Sequence, residues 1–200
     1  MKNLLLFLVF ACTFSFSCLG SPVPFSPIVR NYSVLDYNAG NENWAVAQDE
    51  RGVMYFGNNS GLLRYDGSRW KLFPLPTSGI VRAVYVASDR RIYVGSFEEF
   101  GYFEQNDLNL LEYHSLKEQV KGFDFHNDEI WTIVEQGGNI IFQSFGSYFI
   151  YDGKGTKGVR CPELPLNLFR IGDTLYSQLI NGGVCTFAGD KFIPLDRKSV

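Results

Sequence analysis

A β-propeller of four-stranded antiparallel blades is the fold class this sequence predicts, and three observations predict it. First, a pattern of Tyr-X-Gly, a polar turn, Gly, an apolar run and Tyr-Asp-Gly appears near the start of the 200-residue chain and returns in degraded form. Second, the marking glycines 61, 101, 146 and 183 are spaced 40, 45 and 37 residues apart, a period typical of propeller blades. Third, the segments between turns are short and alternating, and no helix-length periodic segment interrupts them.

The first unit resolves into four strands, Trp44–Gln48, Val53–Gly57, Leu62–Tyr65 and Arg69–Phe73. The turns Asp49–Gly52, Asn58–Gly61 and Asp66–Gly67 join them, because Gly, Asn and Asp accept the positive φ of tight hairpins. Pro74 and Pro76 stop the fourth strand. The second unit repeats this over Val81–Val86, Arg91–Gly95, Gly101–Glu104 and Leu110–Tyr113. The third uses Ile130–Glu135, Asn139–Gln143, Tyr148–Tyr151 and Gly158–Cys161, and the fourth Leu168–Ile171, Thr174–Leu179, Val184–Phe187 and Lys191–Leu195. Blade limits fall near 41–78, 79–114, 129–165 and 166–196, with 114–128 an insertion long enough for one helical turn. A lone blade cannot bury both faces, so stacking must cover them. Trp44, Tyr65, Trp70, Trp131, Tyr151 and Phe192 are accordingly expected to pack between blades.

Composition supports a packed core: 46% of residues are hydrophobic and 16% aromatic. A net charge of -3, spread without blocks, speaks against a nucleic-acid footprint, which needs a basic face. At the N-terminus Lys2, the apolar run Leu4–Phe16 and small residues around Ser17–Ser21 read as a secretory signal peptide over 1–20. The run is shorter than the roughly 20 residues a membrane span requires. Export leaves Cys161 and Cys185, which are open to a disulfide or to the commoner role of buried apolar thiols.

Catalytic constellations were sought and none stands out. His114 and His126, near Asp124 and Asp128, fit no metal-ligand spacing and read as a polar connection, so no metal or other cofactor is expected. Glu98 and Glu99 are consecutive and point apart, unlike the paired carboxyls of glycoside chemistry. Asn31-Tyr32-Ser33 and Asn58-Asn59-Ser60 match a glycosylation acceptor pattern that is common by chance.

The run Tyr55-Phe56-Gly57-Asn58-Asn59-Ser60-Gly61-Leu62-Leu63-Arg64-Tyr65-Asp66-Gly67 resembles the two-component-regulator propeller repeat, as does Ile92–Ser96 followed by Phe97–Tyr102. The stretch from Asn31 to Leu195 is similar to the N-terminal sensor region of Bacteroidetes-type regulators with exported domains. In that family a propeller precedes a triple-tyrosine domain, a membrane helix and a kinase or LuxR-type output. The resemblance implies a periplasmic, non-enzymatic sensor propeller, here the front part of a longer protein. It also implies a full-length homodimer and a glycan or other small molecule as ligand. A propeller lyase or glycosidase acting on polysaccharide, and a structural protein-binding propeller, are the alternatives, since fold alone separates none of these.

A ligand is expected at the turns joining second to third strands, which share one end of a propeller with the blade connections. These turns are Asn58-Asn59-Ser60, Phe97-Glu98-Glu99-Phe100, Ser144-Phe145-Gly146-Ser147 and Asn181-Gly182-Gly183. Asn58, Asn59, Phe97, Glu98, Glu99, Phe100 and Asn181 are the candidate ligand-binding residues, offering amides and carboxylates beside aromatic rings. For the leader, mass spectrometry of the exported protein should place the mature N-terminus within a few residues of Ser21. An intact Met1 in a soluble cytoplasmic fraction would refute the assignment.

Overall fold

The computed structural model describes residues 27–77, 79–161, 164–180, 182–188 and 191–195. The leader therefore lies outside the described residues, and none of the described helices is long and apolar enough to cross a membrane. The chain divides into two units, Met1–Asn31 and Tyr32–Val200. In the first, residues 27–31 form neither helix nor strand. The second holds all the regular structure.

Sixteen strands form four antiparallel four-stranded sheets, each in sequence order. Blade 1 comprises β1 (Asn43–Gln48), β2 (Met54–Asn58), β3 (Gly61–Tyr65) and β4 (Trp70–Phe73). Blade 2 comprises β5 (Ala83–Val86), β6 (Ile92–Gly95), β7 (Phe100–Gln105) and β8 (Leu111–Ser115). Blade 3 comprises β9 (Thr132–Gln136), β10 (Asn139–Gln143), β11 (Ser147–Tyr151) and β12 (Thr156–Arg160). Blade 4 comprises β13 (Pro165–Ile171), β14 (Thr174–Leu179), β15 (Val184–Ala188) and β16 (Lys191–Pro194). Every strand read from the sequence is present, with ends shifted by a few residues at most. The insertion carries a single 3-10 turn, Lys117–Gln119, and His114 belongs to β8 rather than to the insertion. A four-residue helix, α1 (Val34–Tyr37), was not expected.

Local chemistry explains the hairpins. Asp66 Oδ1 accepts from the Ser68 and Arg69 amides, and Asp152 Oδ1 from those of Lys154 and Gly155, so each Asp-Gly turn folds around its own carboxylate. Those amide bonds, from Arg69 first and then Ser68, lower the Asp66 pKa to about 2.

Three apolar cores hold successive blades together. Tyr55, Leu62, Val94 and Phe103 meet between blades 1 and 2. Tyr93, Phe100, Phe142 and Phe149 meet between blades 2 and 3. Ile141, Tyr148, Leu175 and Phe187 meet between blades 3 and 4. Near the axis the seam is main chain: the Val81 amide donates to the Asn58 carbonyl at 3.1 Å and the Ile130 amide to the Ser96 carbonyl at 3.0 Å. Gly57 and Gly95 make this approach possible. A Cβ at Gly57 would lie 2.6 Å from the Val81 carbonyl oxygen, and one at Gly95 2.4 Å from Ile130 Cγ2.

At the third seam the same register position is Gln143, because Gly57, Gly95 and Gln143 pair with Ala45, Ala83 and Thr132 respectively. The incoming strand there begins with Pro165, which has no amide to donate, and its register shifts between Pro165 and Leu168. The buried Gln143 amide bridges the gap, Nε2 donating to the Pro165 carbonyl at 3.1 Å and Oε1 accepting from the Leu168 amide at 2.7 Å.

The forward face of blade 4 has no such covering among the described residues. Leu62, Phe100 and Tyr148 are buried, yet Val184 at the equivalent position is exposed, along with Phe169, Ile171 and Ile193. On the far side of blade 1, Tyr32 and Tyr37 lie against Trp70, which also stacks on Tyr65 at 4.4 Å.

Several expectations are corrected. Trp44 does not pack between blades but is 45% exposed, because it sits in a bulge between Asn43 and Ala45 that turns it toward the axial end. Trp70 is covered by the N-terminal segment rather than by a neighbouring blade. The glycines at 61, 101, 146 and 183 are not equivalent: Gly61 opens β3 opposite Asn58, whereas Gly101 is one residue inside β7 opposite Val94. Cys161 and Cys185 are both buried, as the commoner reading has it, with Cys185 Sγ donating to the Ser177 carbonyl at 3.2 Å and burial pushing the Cys161 thiol up to about 12.

Replacing Gln143 with Leu should lower stability by about 2 kcal/mol or more, since it strands two buried backbone groups at once. Denaturant unfolding measures this. An unchanged midpoint would show that the side-chain bridge does not hold the third seam.

Candidate ligand-binding site

The inner strands β1, β5, β9 and β13 are neighbours around the axis. Antiparallel order places their N-terminal ends, the β2–β3, β6–β7, β10–β11 and β14–β15 turns and the blade connections at one end. At that end the residue preceding Ala45, Ala83 and Thr132 occupies one register position in three blades. These residues are Trp44, Arg82 and Trp131.

The three side chains meet. The Arg82 guanidinium carbon lies 3.8 Å from the Trp44 ring centre and 5.2 Å from that of Trp131. The two indoles are 6.5 Å apart, edge to face. Arg82 Nε donates to Glu129 Oε1 at 2.6 Å, and its Nη1 is enclosed with no hydrogen-bond partner. Trp131 extends the aromatic surface to Phe145, 5.7 Å away and 46% exposed. Trp44 Nε1 donates to Asn59 Oδ1 at 2.7 Å, and Asn59 Nδ2 donates to Glu42 Oε2 at 3.0 Å. The backbone of Glu129 bridges to Phe97, which is 52% exposed. The result is a rim of rings around one neutralised cation, with an amide and carboxylates at its edge. Such a surface can stack a ring or an apolar face and bond polar groups beside it.

The candidates named from the sequence divide sharply. Asn59 and Phe97 belong to this rim. Glu98 is on the same end, its Oε1 accepting from the Asn127 amide and its Oε2 lying 3.9 Å from Lys117 Nζ. Asn58 is buried and serves the fold: its Nδ2 lies within 3.1 Å of the Gly40 and Glu42 carbonyls and of Asn43 Oδ1, while its Oδ1 accepts from the Gly40 and Ser60 amides. Glu99 turns inward, where Oε1 accepts from the Tyr113 and Ser115 hydroxyls, both at 2.7 Å. Burial foremost, and then the Glu99 charge, push the Tyr113 phenol well above its ordinary pKa. Phe100 is fully buried and stacked on Phe149 at 4.7 Å. Asn58, Glu99 and Phe100 are therefore structural residues, not an exposed rim. Asn181 lies outside the described residues.

Sequence reasoning passed over Trp44, Arg82, Glu129 and Trp131 as site residues. The signal for Trp44, Arg82 and Trp131 is the shared position one residue before Ala45, Ala83 and Thr132, which appears only once the strands are in register.

Beside the rim, the insertion is locked down by Asp128. Its Oδ1 accepts from Ser144 Oγ at 2.6 Å and its Oδ2 from Arg160 Nη1 at 3.2 Å, while Arg160 Nη2 reaches the Asp124 carbonyl. At the opposite end, a cleft of about 820 Å³ runs between the turns of blades 1 and 2. Its side chains are largely engaged with one another, as in Arg51 with Asp49, Arg91 with Glu104 and Ser88 with Glu135. No group of three or more candidate metal ligands occurs among the described residues.

No family model matches the chain, and no curated protein matches it significantly. Solved structures do. A streptogramin B lyase superposes with a TM-score of 0.61 at 17% identity, covering 82% of this chain and 57% of the lyase. Virginiamycin B lyase from Staphylococcus aureus gives 0.59 at 12% identity, covering 78% and 56%. The extracellular domain assigned to a one-component system of B. thetaiotaomicron gives 0.57 at 18% identity, covering 79% and 22%. The fold is a β-propeller. The chain spans just over half the length of those lyases and under a quarter of that extracellular domain.

The Asp128 network yields a pH prediction. Burial opposes its charge, but hydrogen bonds from Ser144, Ser147 and the His126 amide, with the Arg160 charge, outweigh it and lower its pKa below 3.8. A depressed folded pKa gives stability that is complete above the unfolded value and is lost as pH falls through the folded one. The Tm gap between the wild type and Asp128→Asn should therefore be widest near neutral pH and shrink below about pH 4. A gap independent of pH would show that the charge does not carry the effect.

Proposed function

We propose that this chain is the ligand-recognising propeller region of an extracytoplasmic sensor, and that the ligand docks on the rim formed by Trp44, Arg82 and Trp131. The observation that carries the proposal is that one position in three successive blades converges on a single aromatic and polar surface, exposed at Trp44 and half-buried at Trp131. Further support comes from the secretory leader pattern, the resemblance of Tyr55–Gly67 to the two-component-regulator repeat, and the likeness to the B. thetaiotaomicron extracellular domains. Aromatic faces beside an amide and carboxylates suit a glycan fragment, whose rings present both apolar faces and hydroxyls. In this reading the region lies outside the cytoplasm, works by binding without turnover, and serves a full-length homodimer whose output controls transcription.

A propeller enzyme is the competing reading; the likeness to the virginiamycin B and streptogramin B lyases favours a lyase, and cleavage of a polysaccharide is its form here. One of those lyase structures is an inactive form with a histidine replaced by alanine. His114 is placed away from the rim, and His126, on the insertion beside it, is tied to Asp124 and Arg160 rather than to Trp44, Arg82 or Trp131. His114 stacks on Tyr102 in blade 2 at 5.1 Å with Nε2 3.3 Å from Glu104, and His126 lies on the insertion against Arg160. That placement favours recognition over turnover.

The test is a tryptophan-emission titration of the mature chain with mixed polysaccharide hydrolysates. Saturable quenching is expected in the wild type and in Trp70→Phe, with affinity reduced about two- to tenfold in Trp131→Phe and Trp44→Phe, consistent with stacking contributions of roughly 0.5–1.5 kcal/mol per ring. Release of shortened or unsaturated sugars during the titration would instead establish the enzyme reading. Quenching that survives in both rim variants would move the site elsewhere.

A further inference from the structure

The charges at the rim specify the ligand further, on the premise that the rim is the recognition site. An anionic ligand needs a cation that is both exposed and unspent. Three cations at this end, Arg82, Lys117 and Arg160, contact its rings and carboxylates, and each is already engaged, whereas Lys121 is exposed on the insertion apart from them. Arg82 is bonded through Nε to Glu129, stacked on Trp44, and enclosed at Nη1. Lys117 lies 3.9 Å from Glu98 and over the Phe125 ring. Arg160 is bonded to Asp128 and Ser147 and lies over the Phe123 ring.

The carboxylates at the same end are more numerous. Glu42 Oε2 accepts from the Asn59 side-chain amide, directly beside the Trp44 platform. Glu98 and Glu129 flank Phe97, and Asp124 is largely exposed on the insertion. With the buried Asp128 and Glu99, the carboxylates outnumber the cations around the rim, so the local potential is negative. An approaching carboxylate would lose its hydration without gaining an ionic partner, whereas hydroxyl groups can donate to these same oxygens.

We infer that the rim selects an uncharged polyhydroxylated ligand and discriminates against the carboxylated form of the same skeleton. The selectivity is set by Glu42, Glu98 and Glu129, and the aromatic faces of Trp44, Trp131 and Phe145 supply the affinity common to both forms.

The experiment compares matched probes that differ only by oxidation of the primary hydroxyl carbon: glucan with glucuronan, galactan with galacturonan, and mannan with mannuronan oligosaccharides of equal length. Each is titrated against the mature chain by tryptophan emission at low salt and at about 0.5 M salt, where the Debye length falls below about 5 Å. In any pair that binds, the neutral member should bind at least about tenfold more tightly, and high salt should narrow the gap. In Glu42→Gln/Glu98→Gln, which keeps both side chains able to accept hydrogen bonds, the gap should shrink about threefold or more, through tighter binding of the acidic member. An acidic member binding as tightly as its neutral partner, or a gap unmoved in the double variant, overturns the charge selectivity while leaving recognition intact. Absence of quenching by every member of every pair removes the recognition reading and this inference with it.

Discussion

The structure depends on one constraint, the backbone-to-backbone approach at the seams between inner strands. Val81 and Ile130 each donate an amide hydrogen bond to the carbonyl of the residue that follows the seam glycine of the preceding blade, Asn58 and Ser96 respectively. The bond forms only because Gly57 and Gly95 present no side chain at that point. A residue with a Cβ there would push the blades apart near the axis and expose the apolar cores further out. The seam also fixes what comes next in the chain. Arg82 and Trp131 each follow directly on a seam residue, so their direction toward the axis is set before any side-chain contact is made. The rim is a by-product of how blades are joined.

That dependence explains what the sequence could and could not disclose. Strands and hairpins were legible because their determinants are local: Asp66 and Asp152 satisfy amides two and three residues away, and Gly67 and Gly153 take the positive φ of the turn. The site was less legible because its determinants are not local. Glu99 looked like a solvated turn carboxylate, yet it is satisfied by hydroxyls 14 and 16 residues away on another strand. Asn58 looked like an exposed turn amide, yet its partners lie 15 to 18 residues upstream in the segment that enters blade 1. Aligning the units on glycines 61, 101, 146 and 183 hid the rim, since those glycines occupy different register positions. Aligned on seam residues, Trp44, Arg82 and Trp131 fall in one column. They share no chemistry that would draw the eye, and only their convergence makes them a group.

The energetics of the rim favour a preformed surface. A guanidinium stacked on an indole contributes about 0.5–2 kcal/mol, depending on how dry it is. Set against this is the cost of enclosing Arg82 Nη1 without a hydrogen bond, about 1–3 kcal/mol. The Glu129 bond, short and charge-assisted, offsets part of that cost and makes the pair hard to dissect. Removing either partner strands a charge in a poorly solvated place, which costs more than the pair contributes. Arg82 is thus better understood as a rigid spacer between two rings than as a free cation. Rings held at a fixed spacing lose little entropy when a ligand docks, which is where preorganised sites gain affinity.

Because Trp44, Arg82 and Trp131 belong to blades 1, 2 and 3, their spacing is also a measure of the angles between blades. The first two seams are closed by main-chain bonds across a glycine and resist shear. The third is closed by the side chain of Gln143 reaching a bulged strand, with χ angles that a glycine seam lacks. Compliance is therefore unequal around the axis, stiff between the rim blades and softer between blades 3 and 4. The spacing of Trp44 and Trp131 is thus fixed by the two glycine seams, while blade 4, beyond the softer third seam, carries Phe169, Ile171, Val184 and Ile193 uncovered on its forward face. The stiffness that suits the rim to recognition and the compliance beside it come from the same register position, filled by glycine twice and by glutamine once.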